Sequence, residues 1–346
     1  MVSASKLSMA DLSAAKTAAQ KLAGELIHPI TEVGTYDEFI NLRDKHDKKQ
    51  VRESPFNIVG VGIATEDGKP YLRVNVRRLP MCFNEIGKEY EGFRVRVTKT
   101  GLFSPTGSRV NAKPSPIMGP GVVLMGGLSL SPSPLGSTGA LGFMAKCSKS
   151  GRPGLVSPEH VLRPYGQAGA GGWNIVHPGI GDHRCGAVVA EYVRDCGMLL
   201  NLSKGRPVDA AFAEVRDVAW EPSIRGAGRI TGRHTEILQL GQRVLICGRQ
   251  SGERQAEVTQ VGLAVAVPFK HSNALRRVEF ANIVTVKETN IPQLGQGDSG
   301  APVYCRLGKD VLLVGMMFAT ARATREHAII LLSDIEASLD VTMIGP

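Results

Sequence analysis

From residue 138 onward the sequence is a succession of short apolar runs set between glycines: GALGFMAK, GAVVAEYV, DAAFAEV, RVLICG, AEVTQVGLAVAV, RVEFANIVTV, GAPVYCR and VLLVGMMFA. Runs this short, bounded by turn residues and with no helical periodicity between them, predict strands. Strands without intervening helices bury their apolar residues only as a sandwich or a closed barrel, so this part of the chain is expected to be all-β. The 40 glycines and 20 prolines of the 346 residues suit the turns such a fold needs. Only SDIEASLDV, near the end, has a helical pattern. No repeat of fixed period is present, which excludes solenoids and propellers.

The N-terminal third reads differently. Ser8-Met9-Ala10-Asp11 offers a capping box before an Ala/Leu-rich stretch that reaches Ile27 and stops before Pro29, a predicted helix with a glycine interruption at Gly24. A second helix is expected from about Tyr36 to Val51. Its charged half, RDKHDKKQVRE, mixes both signs as a solvated face does. NIVGVGIAT, a turn at Asp67-Gly68 and YLRVNVRR predict a hairpin with one covered face, and FRVRVTK a third strand. Residues 101–139 are rich in Gly, Pro and Ser with little periodicity, and read as a linker or an irregular entry. The expected organisation is a helical N-terminal segment (1–54), a small α+β module with its linker (55–115), and a mainly β domain (116–346).

Composition narrows the function classes. The net charge of +9 is spread evenly, +5 on residues 1–115 and +4 on the rest, and is interleaved with acids. A nucleic-acid reader clusters its charge on one element or tail, so nucleic acid is disfavoured as a partner. No run reaches the ~18 apolar residues of a membrane span, and the N-terminus lacks the ~7–15-residue apolar core of a signal peptide. Six scattered cysteines without such a signal are expected to be reduced thiols, and the expected location is the cytoplasm.

The candidate chemistry lies in three motifs. GQGDSGAPVY, Gly295 to Tyr304, stands between a polar turn and an apolar strand. Glycines flanking Ser299 let a substrate approach, and neighbouring N–H groups there can point at one developing oxyanion. The same residues also make an ordinary Gly-rich turn. A serine hydroxyl is a poor nucleophile until a base takes its proton, and the base must be held by a third group. His160 in GLVSPEHVL follows an apolar strand end. Asp209 in RPVDAAFAEV stands at the start of an apolar strand, where an acid is costly to bury unpartnered. The order along the chain is His, Asp, Ser.

Together GLVSPEHVL, PVDAAFAEV and GQGDSGAPVY resemble the chymotrypsin/trypsin-like serine peptidases, the worked case of the triad mechanism. More narrowly, with NIVGVGIAT, GALGFMAK and VLICGRQSG, the chain is similar to a disulfide-poor cytoplasmic branch found in bacteria and in plant narrow-leaf proteins, over about residues 55–340. The resemblance implies a double β-barrel, preceded here by the small α+β module. It implies a serine endopeptidase with His160 as general base, Asp209 as its orienting partner and Ser299 as nucleophile, acting through an acyl-enzyme. Gly297 and Ser299 would form the oxyanion hole and Asp298 would support their loop. The strand from Val314 to Thr320, with Phe318 and Thr320, would run beside the substrate, and Gln293 would lie towards the floor of the primary specificity pocket. The alternative expectation is a catalytically silent or conditionally active binding protein on a peptidase fold.

Departures from the secreted family are also legible. No cysteine stands directly after His160 or in the loop before Ser299, where the secreted family has its disulfide staples, and no I-V-G-G start follows a basic cleavage site. The expected partners are a protein or peptide substrate and a regulatory protein met through the N-terminal module, with no membrane. No cofactor or metal is expected: His177, His183, Cys185 and Cys196 fit no common zinc spacing, and GVGIATEDG lacks the following helix of a dinucleotide fingerprint. Cys305 reads as a buried strand residue rather than a reactive thiol.

Overall fold

The computed structural model describes residues 8–27, 33–35, 57–77, 87–105, 123–133, 137–163, 172–183, 186–196, 207–271, 274–289, 294–295 and 297–345. The helix expected over 36–51, the boundaries near residues 54 and 115, and Gln293 lie outside these residues.

The first helix, α1 (Met9–Leu26), forms where the capping box lies: Ser8 Oγ accepts the amide of Asp11 at 3.1 Å and bonds its carboxylate at 2.6 Å. Such a cap contributes about 1 kcal/mol. Leu12, Ala15, Ala19 and Leu22 lie along one stripe of the helix and are buried. They pack on the hairpin β1 (Ile58–Glu66) and β2 (Lys69–Val76), whose Asp67 and Gly68 both have positive φ, 52° and 74°, as a two-residue I′ turn requires. Strand β3 (Phe93–Lys99) runs parallel to β2, and β4 (Phe103–Pro105) follows after a short turn.

The first barrel consists of β5 (Ser129–Pro132), β6 (Gly139–Ala140), β7 (Phe143–Cys147), β8 (Pro153–Ser157), β9 (Asn174–His177), β10 (Ala187–Asp195) and β11 (Ala211–Val215), with the short helix α2 (Glu159–Leu162) after β8. Antiparallel pairing runs from β7 through β8, β11, β10 and β9 to β5. It closes because β5 pairs with β6, which continues directly into β7. At the junction the amide of Leu141 donates to Leu128 and that of Gly142 to Val156. Leu130, Leu141, Leu155, Ile175, Ala190 and Ala213 fill its core.

The second barrel is built from β12 (Arg243–Gly248), β13 (Gly252–His271), β14 (Ala274–Glu288), β15 (Pro302–Leu307), β16 (Asp310–Ala321) and β17 (Glu326–Leu331). Its antiparallel ladder passes from β12 to β13, β14, β17, β16 and β15 and returns to β12. Helix α3 (Leu332–Leu339) covers it, and the last strand, β18 (Val341–Met343), pairs back onto β7 of the first barrel. Phe143, Val156 and Phe212 from the first barrel and Phe280, Met316 and Phe318 from the second share one buried cluster. The chain is mainly β, as expected, with two barrels.

Two features differ from the expectations. Strand β1 is hydrogen-bonded to β13, with Ile63 opposite Val261 and Val61 opposite Ala264, so the second barrel's sheet continues outward into β1, β2 and β3. The stretch 101–139, read as a linker or an irregular entry, holds β4, β5 and the start of β6. Their Gly, Ser and Pro content masks strands that are fixed by pairing, β4 on the distant β16, β5 on β9 and β6 on β5, where tertiary context overrides local propensity.

Candidate active site

The two barrels meet at residues 137–141 and 297–301. The amide of Ala140 donates to the carbonyl oxygen of Ser299 at 2.7 Å. A Cβ on the neighbouring Gly139 would stand 2.7 Å from that same oxygen and 2.6 Å from Val161, so the close approach requires glycine.

His160 stands in α2, directly after the end of β8, and Asp209 two residues before β11, so both come from the first barrel. β8 and β11 are paired neighbours, with Ser157 opposite Ala211, which brings the two side chains together. His160 Nδ1 lies 2.5 Å from Asp209 Oδ2, and the other carboxylate oxygen, Oδ1, accepts the backbone amide of His160 at 3.1 Å. Asp209 is fully buried, and these two bonds compensate its desolvation. A carboxylate only accepts, so Nδ1 carries the hydrogen and the lone pair of the neutral ring is on Nε2. Nε2 makes no hydrogen bond among the described residues. Ser137 Oγ donates to the His160 carbonyl at 2.7 Å, and Phe269 of the second barrel meets the imidazole at 5.8 Å between ring centres.

Ser299 lies in the turn before β15. It is fully buried, and its Oγ donates to the carbonyl of Phe318 at 3.1 Å. The turn is held from three directions. Asp298, also fully buried, accepts the amides of Gln250 at 3.0 Å and Gly295 at 2.8 Å and the hydroxyl of Ser251 at 2.9 Å. Neutral donors thus satisfy its carboxylate. Gly297 has φ +91°, and Arg249 Nε donates to its carbonyl at 2.8 Å. A Cβ on Gly297 would fall 2.1 Å from the Arg249 guanidinium, so both the dihedral and the packing require glycine. On the far side, the Gly300 amide donates to Met317 at 2.8 Å and the Met317 amide to Ala301 at 3.0 Å, tying the turn to β16.

The structure therefore brings His160, Asp209, Asp298, Gly297, Ser299 and Phe318 to one junction. Thr320 is buried two residues further along β16. Its Oγ1 lies 2.9 Å from His327 Nδ1, and His327 Nε2 is 2.6 Å from Glu288 Oε1, which also accepts the Leu294 amide at 2.9 Å.

Arg249, Asp182, His327 and Glu288 were not singled out from the sequence. Arg249 had a signal, standing in the CGRQSG run, but its partner Asp182 belongs to the other barrel. Nothing local announces the Glu288–His327 pair.

No protein-family model and no curated protein matches the sequence. Solved structures do. The chain is similar in structure to bacterial chymotrypsin-like serine proteases. Protease A of Thermobifida fusca matches 65% of this chain and 100% of its own, with 12% identity and a TM-score of 0.43. The Nocardiopsis protease matches 64% and 99%, with 17% identity and a TM-score of 0.41. A glutamic acid-specific serine protease matches 64% and 100%, with 15% identity and a TM-score of 0.44.

Proposed function

We propose that the protein is a serine endopeptidase acting on protein or peptide substrates, with Ser299 as nucleophile, His160 as general base and Asp209 as its orienting partner. The observation that carries this reading is the doubly bonded Asp209–His160 pair, which fixes the tautomer whose Nε2 can accept a proton. That nitrogen makes no hydrogen bond among the described residues, and the Ser299 turn of the other barrel is braced by a buried aspartate and a buried arginine.

In the reaction Ser299 Oγ exchanges its bond to Phe318 for one to His160 Nε2 and adds to the scissile carbonyl carbon as Nε2 takes the proton. The amides of Gly297 and Ser299 stabilise the oxyanion. Collapse of the tetrahedral intermediate breaks the C–N bond, and His160 returns the proton to the leaving amine. Water activated by the same base then hydrolyses the acyl-enzyme. Bonds to a catalytic base often tighten only once substrate is bound, which suits the present partner of Ser299.

A second reading, a conditionally active or silent binding protein on this fold, draws on the complete burial of Ser299. A fluorophosphonate probe separates the two. Stoichiometric labelling of wild type and none of Ser299→Ala supports the peptidase; equal background on both overturns it.

A further inference from the structure

The side of β16 next to Ser299 is occupied by the chain itself. Strand β16 pairs with β15 only as far as Met316, opposite Pro302. Beyond that point one side of β16 holds β17, with Ala319, Thr320 and Ala321 opposite Ala328, His327 and Glu326. Its other side would be an open edge leading away from the nucleophile, and an unpaired edge of this kind recruits an extended peptide. In this structure β4 fills it in antiparallel register: Phe103 opposite Ala321, Ser104 opposite Thr320 and Pro105 opposite Ala319. A chain in that direction advances towards Phe318, whose carbonyl holds the Ser299 hydroxyl.

The side chains fit as well as the backbone. Phe103 is fully buried in the cluster that contains Phe269, Phe280 and Phe318, whereas Ser104 and Pro105 are half-buried. Just before β4, the amides of Thr100 and Gly101 both donate to the Val76 carbonyl, at 3.0 and 3.3 Å, which fixes the strand's entry.

Resting on the serine-peptidase reading, we infer that Phe103–Pro105 is a built-in occupant of the peptide groove beside Ser299, and that the groove takes extended peptides with an aromatic residue opposite Ala321. The chain blocks its own site in cis and shows, in Phe103, what a competing peptide must present. Because the occupant is tethered, an outside peptide competes against an effective concentration in at least the millimolar range, and opening the strand removes that competition.

The test uses a fluorescent peptide copying residues 101–107, Gly-Leu-Phe-Ser-Pro-Thr-Gly, and a control with alanine for its phenylalanine. Binding is measured by anisotropy to the Ser299→Ala protein and to the same protein with either Phe103→Ala or Ser104→Gly/Pro105→Gly. The double glycine variant weakens the strand at half-buried positions and leaves the core intact, so it decides the matter where Phe103→Ala fails to give a cooperative melt. The opened proteins should bind the peptide at least tenfold more tightly than the closed one, and the alanine peptide at least tenfold more weakly than the parent. Equal binding to closed and opened proteins, or indifference to the phenylalanine, overturns the inference. Fluorophosphonate labelling of the same variants with Ser299 restored reads the catalytic assignment separately. Tight peptide binding without labelling would sink the peptidase and keep the groove, and labelling with indifferent peptide binding would do the reverse.

Discussion

Arg249 of the second barrel is fully buried against Asp182 of the first, and the same guanidinium donates to the carbonyl of Gly297, two residues before Ser299. One ion pair therefore links the turn that carries the candidate nucleophile to the barrel that carries the candidate base. Removing one partner of a buried pair leaves an uncompensated charge and costs about 3–5 kcal/mol. Asp182→Ala is expected to lower the unfolding free energy by that amount in urea titrations. A change within 1 kcal/mol, about the uncertainty of such extrapolations, would show that the pair is not held in solution.

Ser299→Ala or His160→Ala should abolish peptide hydrolysis while leaving the thermal melt cooperative, because triad members act as a unit worth on the order of 10⁶ in turnover. Asp209→Asn should cost less, about 10⁴, through the wrong histidine tautomer. Active-site titration before and after each substitution checks this, and wild-type turnover by Ser299→Ala would remove the serine from the mechanism.

Asp298 accepts its three hydrogen bonds from Gln250, Ser251 and Gly295, all within the second barrel. The intact chain thus supplies the loop's support, and no freed N-terminal amine is needed. Asp298→Ala strands buried donors, at about 1–3 kcal/mol for each, and is expected to slow probe labelling of Ser299 at least tenfold. N-terminal sequencing of the labelled wild-type species should return an uncleaved start. Labelling confined to a species beginning near Val122 would instead make this a zymogen switched by cleavage.

Cys147, Cys196, Cys247 and Cys305 are free thiols. Burial pushes the thiols of Cys247 and Cys305 up from their ordinary value. A raised value means less thiolate at any given pH near neutrality, so both should alkylate more slowly with iodoacetamide at pH 8 than an exposed thiol does, and rapidly once urea unfolds the chain. Activity should be indifferent to dithiothreitol. Peptide mapping of the alkylated protein checks the first expectation, and fast native alkylation of Cys247 would contradict it.

The sequence carried the parts of this site that are local. Ser8 and Asp11 capped α1, the Asp67-Gly68 turn closed a hairpin, and the motifs around His160, Asp209 and Ser299 each marked a strand end. What stayed hidden depends on pairing across long stretches of chain. Asp182 and Arg249 are 67 residues apart and Glu288 and His327 are 39 apart, and neither pair has a motif. Strand β4 is three residues of Phe-Ser-Pro in a Gly/Pro/Ser-rich stretch, and it is a strand only because β16 offers it an edge. The attachment of β1 to β13 is of the same kind: alternation announced the hairpin's covered face, which α1 packs on, but not the strand that pairs with its edge.

The bond from the Ala140 amide to the Ser299 carbonyl joins the two barrels by backbone alone. Gly139, next to it, admits no bulk that would pry it open. The barrels are held together besides by the Arg249–Asp182 pair and by the shared cluster of Phe143, Phe212, Phe280 and Phe318. Strand β18 is a further tie: it runs on from α3, which covers the second barrel, and pairs with β7 of the first. A substitution at Val341 or Met343 that loosens this strand is therefore expected to weaken the joint between the barrels and not only the strand itself.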